Sequence, residues 1–150
     1  MIKVKRLITL IIVLVIAMGI IPLFTAYANR QVTIYINGRR VNFEGQQAVI
    51  VNNRVLIPLR GTFEHMGYDV NWYSRARMAR LIKGDVTIIV PADVDVFVVN
   101  DEIIVPDVPQ QIIDGRLMLP LRAVSEAIGA TVRWNNTSRV AHISYAPSDL

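Results

Sequence analysis

Val55-Leu-Ile-Pro-Leu-Arg-Gly-Thr-Phe-Glu-His-Met-Gly-Tyr-Asp-Val-Asn-Trp72 returns 62 residues later as Leu117-Met-Leu-Pro-Leu-Arg-Ala-Val-Ser-Glu-Ala-Ile-Gly-Ala-Thr-Val-Arg-Trp134. The two stretches align without a gap. Pro58, Leu59, Arg60, Glu64, Gly67, Val70 and Trp72 meet Pro120, Leu121, Arg122, Glu126, Gly129, Val132 and Trp134. Upstream, Ile50 and Arg54 meet Ile112 and Arg116; downstream, Arg77 and Ala79 meet Arg139 and Ala141. A repeat that keeps its spacing over this length is one supersecondary unit built twice.

Each copy reads as strand, helix, strand. Val55-Leu56-Ile57 is a short apolar run of strand type. Pro58 suits the first turn of a helix, where a missing N–H costs nothing. Leu59, Phe63 and Met66 recur at helical spacing, as do Leu121, Val124 and Ile128. Gly67 and Gly129 stand where a helix C-terminus wants a residue that tolerates positive φ. Val70 and Trp72, then Val132 and Trp134, alternate with a period of two, the mark of a half-buried strand; core packing is the expected role of both indoles, and a sugar-stacking surface is the alternative. Arg60–Glu64 and Arg122–Glu126 are spaced i,i+4 in the weaker order, worth roughly a few tenths of a kcal/mol as solvated pairs. The alternatives for these arginines are a fold-keeping contact with strand carbonyls and, last, a ligand.

Residues 1–28 have the pattern of a signal peptide. Lys3, Lys5 and Arg6 precede an apolar run from Leu7 to Phe24, and Ala26-Tyr27-Ala28 is a small-x-small cleavage site. Export with cleavage after Ala28 is expected; the alternative is an uncleaved N-terminal membrane anchor. Of the 16 lysines and arginines, three lie in this segment, and none of the 12 acids does. Residues 29–150 therefore hold 13 basic against 12 acidic side chains, a net charge of +1, and the mean hydropathy of +0.39 belongs largely to the leader. That balance supplies no field for nucleic acid. There are no cysteines, so packing alone holds the fold, and thiol catalysis and cysteine metal sites are excluded.

Turn residues divide residues 29–150 into many short strands. Asn37-Gly38, Asn52-Asn53 and Asp114-Gly115 are two-residue hairpin turns, and Asn100-Asp101 stands where Asn37-Gly38 stood in the first copy. Strands are expected at Val32–Ile36, Met78–Ile82, Val86–Val90, Val94–Val99, Thr131–Trp134 and Arg139–Tyr145, with Ala79, Leu81, Ala141 and Ile143 facing the core. The expected class is α+β: a strand-rich, mostly antiparallel sheet wrapped around one helix per repeat. The repeats span about 32–90 and 94–145. With no Gly/Ser linker between them, they should pack together or share a sheet.

Catalytic chemistry is sparse. His65 and His142 read as surface residues, and no H-x-H or H-E-x-x-H spacing supplies a metal. No serine stands in a G-x-S-x-G context and no glycine-rich phosphate loop is present. Glu64 and Glu126 each follow an arginine that favours the ionised form, which does not suit a general acid. No cofactor is expected. What remains is a binding surface: Tyr68 and Tyr73, aromatics without an aromatic counterpart in the second copy, beside a basic patch of Arg75, Arg77, Arg80 and Lys83. The alternative reading of that patch is a solvated hairpin face.

The residues Asn37-Gly38-Arg39, then Arg54-Val-Leu-Ile-Pro-Leu-Arg60, then Glu64, Gly67, Val70 and Trp72, answered by Asp114-Gly115-Arg116, Leu117 to Arg122, Glu126, Gly129, Val132 and Trp134, resemble the copper amine oxidase N-terminal, or stalk, domain. The resemblance covers nearly all of residues 29–150. It implies antiparallel sheet wrapped around a helix, a bacterial exported protein, and a domain distant from the copper and the quinone. Two histidines cannot supply a three-histidine copper site. The chain departs from the family in carrying Tyr73 and Asn135 where an acidic residue usually follows the second-strand tryptophan. The resulting expectation is a non-catalytic module, secreted or held at the cell envelope, that binds cell-wall glycan or another envelope protein. The alternatives are a structural spacer without a ligand and a copper amine oxidase-like enzyme component.

Overall fold

The computed structural model describes residues 31–146. The signal-peptide and membrane-anchor readings of residues 1–28 lie outside the described residues. From Thr33 the chain runs β1 (Thr33–Ile36), β2 (Arg39–Arg40), β3 (Val49–Val51), β4 (Arg54–Pro58), α1 (Leu59–His65), β5 (Asp69–Tyr73), β6 (Met78–Lys83) and β7 (Val86–Pro91). It continues with β8 (Phe97–Val99), β9 (Glu102–Ile104), β10 (Gln111–Ile113), β11 (Arg116–Pro120), α2 (Leu121–Ala127), β12 (Thr131–Asn135) and β13 (Val140–Ser144). The expected α+β class and the shared sheets are both found.

Local chemistry explains the joints. Both central residues of Asn37-Gly38, Asn52-Asn53 and Asp114-Gly115 have positive φ, the geometry whose twist matches a hairpin. Gly67 and Gly129, at φ +84° and +74°, follow the last helical turns and release the chain into β5 and β12. Pro58 and Pro120 differ from expectation by one residue. They close β4 and β11 in extended conformation, ψ 124° and 113°, and each helix begins at the following leucine. The backbone carbonyl that Pro58 presents accepts a 2.7 Å bond from buried Thr62 Oγ1. The strand expected from Val94 begins only at Phe97. The buried Gln110 amide explains this: it donates to the carbonyls of Pro91, Val94 and Val96 and holds the segment in a bend.

The strands form three sheets: β12-β13-β1-β2, β10-β11-β4-β3 and β5-β6-β7-β8-β9. The second sheet joins the repeats through β4 and β11, antiparallel, with Leu56 opposite Pro120, Ile57 opposite Leu119 and Pro58 opposite Met118. With the 62-residue offset applied, Leu119 is the counterpart of Ile57 and each outer pair mirrors the other. A pseudo-twofold axis therefore passes between Ile57 and Leu119. The other sheets exchange hairpins across this axis. The β1–β2 hairpin of the first repeat pairs through β1 with β13 of the second, in parallel. The β8–β9 hairpin of the second repeat pairs through β8 with β7 of the first, antiparallel. Strand β7 has no counterpart and is an inserted strand, so β6 and β8 still run in the same direction, as β13 and β1 do.

One continuous core results. Leu59 and Phe63 of α1, Leu121 and Val124 of α2, Ile57 and Leu119 of the central sheet, and Ile34, Leu81, Ile88, Phe97 and Ile143 of the outer sheets all belong to it. Ala79, Leu81, Ala141 and Ile143 face it as expected. A smaller cluster of Leu56, Met118 and Val108 lies behind the central sheet.

Candidate functional site

Trp72 corrects the expectation of a core indole. It lies opposite Ala79 in the β5–β6 pair, on the face that carries Val70 and Leu81. Strand β5 is at the sheet edge and Ala79 is small, so the indole has cover on one side only and is 40% exposed. It borders a cleft of about 560 Å³. Arg60 and Glu64 of α1 line the same cleft, with Phe43 and Glu44 from the loop after β2 and Arg116 from the second repeat. Phe43 approaches α1 because position 61 is glycine; a Cβ there would stand 2.9 Å from the Phe43 ring.

A second cleft, of about 730 Å³, is lined by Pro120, Arg122, Glu126, Trp134, Arg54 and Asp107, among others. At the 62-residue offset the first four are the counterparts of Pro58, Arg60, Glu64 and Trp72, and Arg54 is the counterpart of Arg116. Asp107, reached from the end of the β8–β9 hairpin, answers Glu44, reached from the end of β1–β2. The pseudo-twofold axis thus makes one cleft twice. Each is composite: helix and tryptophan from one repeat, the strand arginine from the other.

The copies differ in electrostatics. In the second cleft Arg54 Nε donates to Asp107 Oδ2 at 2.6 Å and Nη2 lies against the same oxygen. The guanidinium bond holds the Asp107 carboxyl below the usual carboxylate range. In the first cleft no carboxylate among the described residues comes within 4.0 Å of Arg116. The helix pairs Arg60–Glu64 and Arg122–Glu126 stand at 3.5 and 4.0 Å, each partner at least half exposed. They are the solvated pairs expected, not contacts with strand carbonyls. Trp134 is partly buried and packs against the core.

The residues expected to form a binding surface divide. Tyr68 is buried at 3% exposure, which overturns its assignment to an exposed face. Its ring meets Phe63 edge-on and its hydroxyl lies 3.1 Å from that of Tyr145. Burial, and then that bond, push its phenol well above the ordinary range. Lys83 also leaves the basic patch. Its Nζ donates to the Met66 carbonyl at 2.6 Å, at the end of α1, and sits 4.8 Å from the Tyr145 ring centre. Tyr73, Arg75, Arg77 and Arg80 are exposed. Register puts Tyr73 and Arg80 on the outer face of the five-stranded sheet, with Arg75 and Arg77 in the adjoining turn. Arg77 is committed to Asp93 through bonds of 2.6 and 3.0 Å, which lower the Asp93 carboxyl.

Arg116, Glu44, Phe43 and the openness of Trp72 escaped the sequence reading. The Arg54–Arg116 match was visible, but the crossing of the repeats that sends each arginine to the other's cleft was not. At the second departure from the family pattern, Asn135 takes over the turn: its Oδ1 accepts from the amides of Thr137 and Ser138, both at 3.0 Å. His65 and His142 are exposed, and His142 stacks on Tyr35 with ring centres 5.0 Å apart. Among the described residues no three His, Asp or Glu side chains gather as a metal cluster.

No curated protein matches the chain. The family model described as copper amine oxidase N-terminal domain matches residues 35–143, from within β1 to within β13, taking in both repeats. That family is one of non-catalytic domains. With the match covering both clefts and the axis between them, this chain belongs to the copper amine oxidase N-terminal domain family.

Proposed function

We propose that this protein is a non-catalytic, extracytoplasmic module of the cell envelope that binds wall glycan or another envelope protein. The observation that carries the reading is the aromatic end of the five-stranded sheet. Trp72 and Tyr73 are consecutive residues of edge strand β5, 40% and 44% exposed, one bordering the cleft and the other on the outer face. Exposed aromatic rings offer a large rigid contact area at low entropic cost, and next to arginines they serve recognition. The pattern of residues 1–28 supports export, and membrane contact then arises only through that segment if it is left uncleaved. The near-neutral charge of residues 29–150 supports a partner other than nucleic acid.

The test is retention of residues 29–150 on purified cell-wall sacculi across a salt series, since the described residues 31–146 hold one continuous core of their own. Saturable binding that persists at moderate salt and drops in a Trp72→Ala, Tyr73→Ala double variant is the expected result. Binding that vanishes with salt and depends only on Arg75 and Arg80 would reduce the interaction to screened surface charge. No retention at all would point away from wall glycan.

A further inference from the structure

The second cleft contains its own account of what the first one lacks. Arg54 and Arg116 are counterparts, each sent across the pseudo-twofold axis into a cleft that holds a tryptophan and an Arg–Glu helix pair. In the second cleft a carboxylate of the same chain, Asp107, occupies the strand arginine. In the first cleft the corresponding place is taken by Glu44, which lines the cleft without reaching Arg116. The cleft therefore keeps an exposed guanidinium and an indole that is 40% exposed.

We infer that the first cleft is a site for a carboxylated saccharide, with the carboxylate on Arg116 and the sugar ring against Trp72. A guanidinium takes a carboxylate through charge-assisted hydrogen bonds, and the Arg54–Asp107 contact, with both nitrogens on one carboxylate oxygen, is an example within the same fold. The apolar C–H face of a sugar ring packs on an indole face, while the half-exposed Arg60 and Glu64 present donors and acceptors for its hydroxyls. The cavity of about 560 Å³ holds one or two sugar residues. In the second cleft the strand arginine is already taken by an internal carboxylate, so the chain binds one such unit. The inference rests on the envelope-module reading and specifies its ligand.

The test is calorimetric titration of residues 29–150 with tetragalacturonate, and with a neutral galactose tetramer of the same length. Saturable binding of the acidic oligosaccharide at one site per chain is expected, with the neutral one at least tenfold weaker. Arg116→Gln should weaken binding about tenfold, the order of a lost charge-assisted bond, and Trp72→Ala should do likewise. Arg54→Gln should leave the first site unchanged, and Glu44→Ala, by removing a negative charge from the cleft lining, should tighten it. Circular dichroism of each variant separates loss of binding from loss of fold. Equal affinity for the neutral oligosaccharide, or insensitivity to Arg116→Gln in a folded protein, would overturn the assignment. Two equal sites per chain would overturn the claim that Asp107 keeps Arg54 from a ligand. Retention on sacculi that survives Trp72→Ala and Arg116→Gln would leave the envelope module standing and remove this cleft from it.

Discussion

Tyr68 occupies the position that Ala130 holds in the second copy, and both are buried. A lone aromatic in one copy looked like a surface addition, whereas the position belongs to the core in each. The extra ring in the first copy is accommodated by Tyr145, whose hydroxyl meets it, and by Lys83, whose cation lies against both rings. Tyr68→Phe should therefore cost about 1 kcal/mol, since it leaves the Tyr145 hydroxyl without this partner. Denaturant midpoints of the two proteins check this. The raised phenol also sets a direction with pH. Above its ordinary value near 10 the unfolded chain loses this proton while the folded chain keeps it, so stability falls as pH rises through that range. Tyr68→Phe should flatten that alkaline decline, and an unchanged slope would contradict the assignment. The Arg54–Asp107 pair titrates in the opposite sense. Its depressed carboxyl contributes above the ordinary carboxylate range, and the contribution is lost as pH falls through the lowered value. The Arg54–Asp107 contact should break there, visible as a shift of the Arg54 Nε–H resonance that Asp107→Asn reproduces at neutral pH.

At the scale of the element, the helices need the rest of the fold. Each has seven residues, far below the length at which an isolated helix is stable in water. Each packs against the β11–β4 strands contributed by both repeats, and each ends in a glycine with left-handed φ. Gly67→Ala and Gly129→Ala should each cost about 1–2 kcal/mol, the penalty of a side chain in that conformation. Thermal unfolding of the two variants checks the equality that the repeat implies. Elements of this kind were readable in the sequence because their causes are local. Asn-Gly, Asn-Asn and Asp-Gly turns, glycine at the helix end and alternating valine and tryptophan act within a few residues. The delayed start of β8 was not readable, since it depends on Gln110, which reaches back over the loop to three carbonyls.

At the scale of the whole molecule, the pseudo-twofold axis decides both fold and site. The repeat was plain in the sequence, and so was the need of its halves to share cover. Which strand of one half meets which strand of the other was not, because register across the axis is set by the fit of Ile57 against Leu119. The composite clefts were hidden for the same reason. Arg116 is distant from Trp72 in sequence and joins it only when β4 and β11 pair. At the axis Ile57 and Leu119 are fully buried, 1% and 0% exposed. Ile57→Ala or Leu119→Ala should cost about 2–5 kcal/mol. The exchange of hairpins is also fastened at the end of the parallel β1–β13 pair. There Asn37 Nδ2 donates to the Tyr145 carbonyl at 2.7 Å, and the Tyr145 amide returns a bond of 2.9 Å to Asn37 Oδ1.

The repeats fold as one interlocked body, so that each cleft needs both. The chain's two tryptophans fall one in each repeat, and each borders its own cleft. The most direct test is urea unfolding of Trp72→Phe and Trp134→Phe variants of residues 29–150, followed by the fluorescence of the remaining indole and by far-ultraviolet circular dichroism. Within each variant the fluorescence and dichroism midpoints should coincide, and an added Ile57→Ala substitution should lower the midpoint reported by either tryptophan to the same extent. Separate transitions for the two indoles, or a shift confined to the repeat that carries the substitution, would contradict the interlocked fold and with it the composite clefts.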